Sequence, residues 1–585
     1  MKTNKAIFLV SAFALPLTLP AMAYKYTGTV ATSVGQNFKK DPSVSTLSGD
    51  CKPASSQTDL DLNNVRAAIL NGGDMWWNLT DQKYEVPKGS NRHSLFAGAL
   101  WIGGIDAGGQ LKVAAMNYRQ GGNDFFPGPV DPTTTSTAAD ICAKYDKHWK
   151  VTRQEVEDFA LNHTTPSQSL VTWPGAGNNG APSYGLAPFY DADGDGVYSI
   201  DAGDYPYYDL TGKVSCKSCG SSTFKDVLYG DQTIWWVFND VGNVHTETGG
   251  EPIGLEIQAQ AFAFSTNDEI NDMTFYNYKI INRSTFSVSH TYFGQWVDPD
   301  LGNGGDDYVG CDVSRGLGYC YNGEEEDKDG SGQFAGEKGY GANPPAVGLD
   351  FFQGPLADAG DGIDNNRNCQ VDEPCEQIIM SKFVYYNNDG SLTGEPGTAK
   401  EFYGYLKGEW KDGTKMTYSG NGHLSGGTQC NFMFPGTSDQ KYNWGTGGTC
   451  TNPGGSQANW DEVTAGNQAK DRRFIQSAGE FTLQPGAVNY ITTGAVWARA
   501  SQGGRLASLE LLKLADDKAQ ALFNNCFKVL DGPDAPDMAI RELDKQIILS
   551  ISNKSTSNNA NEAYSEVDPL IVDTTAIQTG KNQVN

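Results

Sequence analysis

Between Gln232 and Asp298 the chain leaves little room for anything but strand. Four segments follow one another: QTIWWVFND (232–240), GLEIQAQAFAF (254–264), MTFYNYKIINRS (273–284) and SHTYFGQWVD (289–298). Each has strand length, is rich in aromatic and β-branched residues, and alternates in part. Such segments at short spacing predict an antiparallel β-sandwich. Similar signals lie on either side. SLFAGALWIGGID and GQLKVAAMNY flank a Gly-rich turn at Asp106–Gly109, SKFVYYNND spans 381–389, and GEFTLQPGAVNYITTGAVWARA (479–500) reads as two strands around Pro485 and Gly486. The fold class expected is mainly β, with long Gly/Asp-rich loops over 299–376 and a Gly, Asn, Thr and Ser-rich loop over 411–470.

Two segments read as helix. A polar one covers Arg153–Leu161. The other, LASLELLKLADDKAQALFNNCF (506–527), sets Leu509, Leu512, Ala515, Ala519, Leu522, Phe523 and Cys526 on one stripe, as a C-terminal amphipathic helix packed on the sandwich would. Beyond it, GPDAPDMAIRELDKQIILSISN returns to strand character and resembles the opening of a fibronectin-type-III-like module. The 531–585 segment is shorter than the roughly 100 residues such a sandwich needs, so a partial module is expected. By pattern the chain divides into a leader (1–23), a polar, loosely ordered segment (24–60), an N-terminal β region (61–190), a sandwich core with loop insertions (191–505), the helix (506–527) and the last segment (531–585).

The compartment is legible at the N-terminus. Lys2 and Lys5 precede an apolar run, Ala6–Leu15, and Ala21-Met22-Ala23 forms a small-residue cleavage site. This is the pattern of a secretory signal peptide. No later run approaches the roughly 18 apolar residues of a membrane span. A net charge of −27 disfavours nucleic acid as a partner, because phosphate binding needs Lys/Arg patches. Eleven cysteines in an exported chain should mostly pair. Local bridges are expected for Cys311/Cys320, Cys369/Cys375 and Cys430/Cys450. Cys216 and Cys219 form a lone C-x-x-C without two further zinc ligands nearby, and Cys526 is the candidate left over.

The candidate chemistry lies in acidic loops. In DADGDGVYSIDAGD (191–204), Asp191, Asp193 and Asp195 stand at positions 1, 3 and 5 and Gly196 at position 6, as in the first half of an EF-hand-type calcium loop. Val197 would offer its carbonyl. Ala202 replaces the closing Glu, so Asp201 and Asp204 would complete the shell. The alternative is a solvated acidic turn. In DAGDGIDNNRNCQVDEPCE (358–376), Asp364, Asn366 and Asn368 repeat the spacing, with Asp372 and Glu373 following and Cys369 in place of the glycine. A weaker third site is Asp327 and Asp329. Hard oxygen donors of this kind suit Ca²⁺. A fourth cluster, WVDPDLGNGGDDYVGCD (296–312), offers Asp298, Asp300, Asp306, Asp307 and Asp312 for a metal, a polar network or a glycosidase carboxylate pair. No H-E-x-x-H, G-x-S-x-G, Walker A or G-x-G-x-x-G motif occurs.

Several stretches together resemble large secreted surface proteins of Bacteroidota, many exported by the type IX system: LFAGALWIGGIDAGGQLKVAAMNYRQGGNDFFPGP (95–129), DADGDGVYSIDAGDYP (191–206), FGQWVDPDLGNGGDDYVGCDVSRGLGYCYNG (293–323), NPPAVGLDFFQGP (343–355) and the helix-to-DGPDAPD junction. The resemblance implies a β-rich, calcium-stabilised extracellular architecture. The function expected is a structural or adhesive one at the cell surface, in an envelope, matrix or filament, through other surface proteins or self-association. The alternative is a secreted glycan-binding or glycan-degrading protein presenting Trp76-Trp77 or Trp235-Trp236 as platforms. An enzyme is the less favoured class.

Overall fold

The fold is that of a computed structural model, which describes residues 49–81, 84–529, 536–555, 557, 559, 560, 566, 567, 583 and 584. The expected leader and the polar stretch to residue 48 lie outside the described residues. The principal strands in chain order are β1 (Gln57–Leu60), β2 (Arg66–Leu70), β3 (Ala97–Asp106), β4 (Leu111–Ala115), β5 (Gln232–Asn239), β6 (Leu255–Ala263), β7 (Thr274–Asn282) and β8 (Val288–Asp298). They continue with β9 (Asp307–Asp312), β10 (Leu317–Asn322), β11 (Ala346–Gln353), β12 (Lys382–Asn387), β13 (Arg472–Leu483) and β14 (Val488–Ala498). Helix α1 spans Arg153–Asn162, α2 Ala399–Leu406 and α3 Gly504–Asn524.

Two antiparallel sheets carry the molecule. The first runs β12-β13-β8-β3, then through the short strand Asp74–Met75 to β2 and on to the short strands Tyr84–Glu85 and His93–Leu95, with β1 paired to β2 and β4 to β3. The second runs β9-β10-β11-β14-β7-β6-β5. One apolar core holds Trp101, Phe293 and Ile475 of the first sheet together with Trp236, Tyr278 and Ile491 of the second. This is the interior of a β-sandwich, and the mainly β expectation holds. Pro485 and Gly486 turn the chain from β13 in one sheet to β14 in the other, so these neighbours in sequence do not pair with each other.

Both sheets are covered outside as well. Alternate residues of β5 show it: Trp236 enters the sandwich interior, while Trp235 packs with Trp149 and Trp173 on the outer face. Helix α3 covers the other half of that outer face with Leu509, Leu512, Ala515, Ala519 and Leu522, against Phe275 and Phe352. Helix α2 covers the first sheet, and it comes so close that a Cβ on Gly103 would sit 2.9 Å from the Tyr403 ring. Double-sided burial is why the strands alternate only in part: nearly every position faces apolar neighbours. Helix α1 starts where the sequence places it, because Thr152 and Glu155 form a reciprocal capping box.

Two expectations need correction. The 299–376 stretch is not merely a loop insertion, since it supplies β9, β10 and β11, the last at the heart of the second sheet. The cysteine pairing is long-range throughout: Cys51–Cys142, Cys216–Cys526, Cys219–Cys375 and Cys369–Cys450. Cys526 is therefore not left over. Cys311, Cys320 and Cys430 are the free thiols, all buried. Cys311 and Cys320 share a hairpin but face Gly318 and Val309 respectively, a two-residue offset that puts the sulfurs out of bonding register.

In the last segment, Asp537–Leu543 and Gln546–Ser552 form an exposed two-stranded hairpin. Most of the remaining 531–585 stretch lies outside the described residues. Among the described residues no helix is long and apolar enough to cross a membrane.

Candidate metal centres

The 191–204 loop grows from a short two-stranded neck. Tyr190 pairs with Tyr205, and their rings stack at 4.7 Å. Asp204 is buried at the neck, where its two oxygens accept hydrogen bonds from the amides of Ala192 (2.8 Å) and Ser199 (2.7 Å). It pins the loop rather than joining the acidic group at the tip. That group is Asp191, Asp193 and Asp195, with carboxylate oxygens within 4.8 Å of one another. Asp191 accepts from Gly194 and Gly196, and these amides hold its carboxyl below the usual carboxylate range. Asp201 sits exposed on the short 3-10 turn Ile200–Ala202, outside the group, and the Val197 side chain is exposed.

The 364–373 loop repeats the same hydrogen-bond cadence. In both, the position-1 carboxylate accepts from the position-6 amide: Gly196 to Asp191 at 2.8 Å, Cys369 to Asp364 at 2.9 Å. Position 3 accepts from the position-5 amide, Asp195 to Asp193 and Asn368 to Asn366. Position 5 accepts from position 7, Val197 to Asp195 and Gln370 to Asn368. Cys369 takes φ +71°, the left-handed conformation a glycine adopts at that turn. Glu373 reaches back, and its Oε1 accepts from the side-chain amides of Asn366 and Asn368. Asp372 is exposed and accepts from Gly362. The two sulfurs near Asp364 belong to the Cys369–Cys450 disulfide, so neither is a thiolate ligand. The turn is fixed by Cys369–Cys450 and Cys219–Cys375, not by the local bridge that the spacing suggests.

The third candidate divides. Asp329 pairs with Lys338 on the surface, whereas Asp327 is buried and accepts from the Tyr340 amide. The C-x-x-C cysteines are both in disulfides, which removes zinc. Trp76, Trp235 and Trp236 are interior, and Trp77 stacks on Phe96 at 4.6 Å.

The fourth cluster is the one that sequence reasoning undervalued. Asp298 ends β8 inside the protein, 1 % exposed. Its Oδ2 accepts from Tyr118 Oη (2.6 Å) and Arg473 Nη2 (2.9 Å). Arg473 also pairs with Asp471. Burial pushes the Asp298 and Asp300 carboxyls above the usual range against the pull of Arg473. Asp312 is apart from them, capping the turn at Ser314 and Arg315. Spacing shows the loop Asp298–Asp307 to be acidic, but only the fold shows that Asp471, far along the chain, completes it.

Neither a family model nor a curated protein matches the sequence.

Proposed function

We propose that the protein is exported and acts at or outside the cell surface as a structural or adhesive element, braced by disulfides and calcium. The observation that carries this reading is the covalent network: eight cysteines joined over sequence separations of 81 to 310. Such bonds persist in oxidising compartments and are rare in reducing ones. The shared cadence of the 191–204 and 364–373 loops supports calcium as the second brace, with Asp191, Asp193 and Asp195 in one and Asp364, Asn366, Asn368 and Glu373 in the other. Surface display of the Bacteroidota kind is part of the same proposal. The glycan alternative loses its motivation, because three of the four tryptophans that would form platforms are buried.

The test is a thermal melt of the mature protein in calcium and in EGTA, with metal analysis and sedimentation velocity. The expectation is bound calcium, a melting temperature that falls in EGTA, and self-association that depends on calcium. A metal-free protein with identical melts and no association would sink the reading and leave both loops as solvated turns.

A further inference from the structure

The acidic group at the end of β8 is a different object from the two surface loops. Asp298, Asp300 and Asp471 each bring a carboxylate oxygen within 4.8 Å of the others. Asp298 and Asp300 are 1 % and 7 % exposed, and the Oδ1 of each has no hydrogen-bond donor. An ionised oxygen shut away from both water and donors is strongly disfavoured. Among the described residues, the cation paired with this group is Arg473, bonded to Asp298, Asp471 and Tyr118. With all three ionised, three carboxylates against one guanidinium leave two negative charges without a partner.

The surroundings prevent the usual escape, in which an acidic side chain swings out to solvent. A Cβ on Gly304 would fall 2.2 Å from Asp300 Oδ1, and one on Gly302 would fall 2.0 Å from Asp327 Oδ2. The loop therefore closes directly over its carboxylates, and Asp300 is held at φ +38°. Asp471 lies on the more open side, 15 % exposed, with Oδ2 accepting from the Asn388 side-chain amide at 3.2 Å.

We infer that Asp298, Asp300 and Asp471 form an interior site for a divalent cation, with calcium as the fitting ion. Calcium accepts several oxygen ligands at roughly 2.4 Å, so oxygens on opposite sides of it lie about 4.8 Å apart. Two positive charges match the deficit, and oxygen-only donors favour a hard cation over softer metals. Tyr118 and Arg473 hold Asp298 by its other oxygen and act as positioning residues. The site stands whether or not the surface loops bind calcium.

Terbium luminescence tests it, because Trp296 and Tyr118 are in edge contact at 5.1 Å beside Asp298 and sensitise an ion there. The mature protein is titrated with Tb³⁺ under tryptophan excitation, and bound calcium is measured by equilibrium dialysis. The D300N substitution keeps the shape and removes a charge. It is expected to weaken binding by about tenfold or more and to remove about one calcium per chain, with the sensitised emission lost. The D193N/D195N pair is expected to leave that emission intact, which separates this site from the surface loop. D471N, at the more open position, should repeat the D300N result and decides the matter if D300N does not fold. Unchanged emission and unchanged bound calcium in folded D300N or D471N would overturn the site. So would a wild type with neither signal, whose carboxyls would then be neutralised by protons.

Discussion

His148 shows how a single buried group links this fold to pH. Its Nδ1 lies 2.9 Å from Ser56 Oγ, its Nε2 is closed off without a partner, and its ring lies 5.8 Å from Trp236. Burial outweighs the nearby Asp146 and pushes it from 6.5 down to about 4. The folded state thus holds the neutral ring, while the unfolded chain takes up a proton first. The stability it contributes is complete above pH 6.5 and is lost as pH falls through the window to about 4. The full effect is about 3 kcal/mol, at 1.36 kcal/mol per unit. In urea unfolding at a series of pH values, H148Q should lose less stability than wild type between those limits. Parallel curves for the two proteins would refute the assignment.

At the scale of elements, helix α3 is both a lid and a source of strain. Its apolar stripe seals the outer face of the second sheet, yet Asp516 faces inward on the same side at 1 % exposure. Burial, and then the like charge of Asp350 on β11, push the Asp516 carboxyl well above the carboxylate range, with Asp517, Arg315 and Asp312 also acting on it. Asp350 is fully buried and likewise raised. A carboxyl raised on folding binds its proton more tightly in the folded state, so this pair favours folding as pH falls and opposes it towards neutrality. D516N should therefore raise the melting temperature at neutral pH and narrow its difference from the value in mild acid. A lower melting temperature at neutral pH would show that the charge is compensated.

The same scale explains what could be read in advance. The strands between 232 and 298 were legible because aromatic and aliphatic residues dominate segments of strand length at short spacing. Strands β9 and β10 were not, because DYVGCD and LGYCYN carry glycine and aspartate that read as turn. Those glycines sit where partners crowd in: a Cβ on Gly318 would meet Gln476 at 2.5 Å. In the surface loops the turn at positions 1, 3 and 5 follows the spacing, since its hydrogen bonds run between residues a few positions apart, whereas Asp201 and Asp204 stand outside the group. The Asp298 cluster was only half legible. Its loop is local, but its burial and its third carboxylate come from tertiary structure. Disulfide partners are hidden for the same reason: nearness along the chain says little about nearness across two sheets.

For the molecule as a whole, the four disulfides constrain the unfolded chain more than any single contact constrains the folded one. Bridges closing loops this long each contribute roughly 4–6 kcal/mol in the chain-entropy picture, and less where they overlap. Cys219–Cys375 lies within the span of Cys216–Cys526 and interlocks with Cys369–Cys450. Reduction should lower the denaturant midpoint by a large fraction, and the C216S/C526S pair should account for a distinct part of that loss. A reduced protein with an unchanged midpoint would mean that the two sheets suffice alone. The free thiols are not expected to reshuffle into the network, because Cys311, Cys320 and Cys430 are buried and burial raises each of them.

The Cys216–Cys526 bridge also decides what happens under tension. Traction on the chain beyond Phe527 enters at Cys526, two residues past the end of α3, and passes straight across sulfur to Cys216. The strands between those two residues, most of both sheets, stand outside the covalent load line. Cys51–Cys142 provides a second short cut of the same kind. Between Cys51 and Cys526 only the stretch from Cys142 to Cys216 remains in series with the load. Pulled between Cys51 and Cys526, the chain can lengthen only through the Cys142–Cys216 stretch, so the load falls on the β3–β8 pairing that joins the two covalently closed parts.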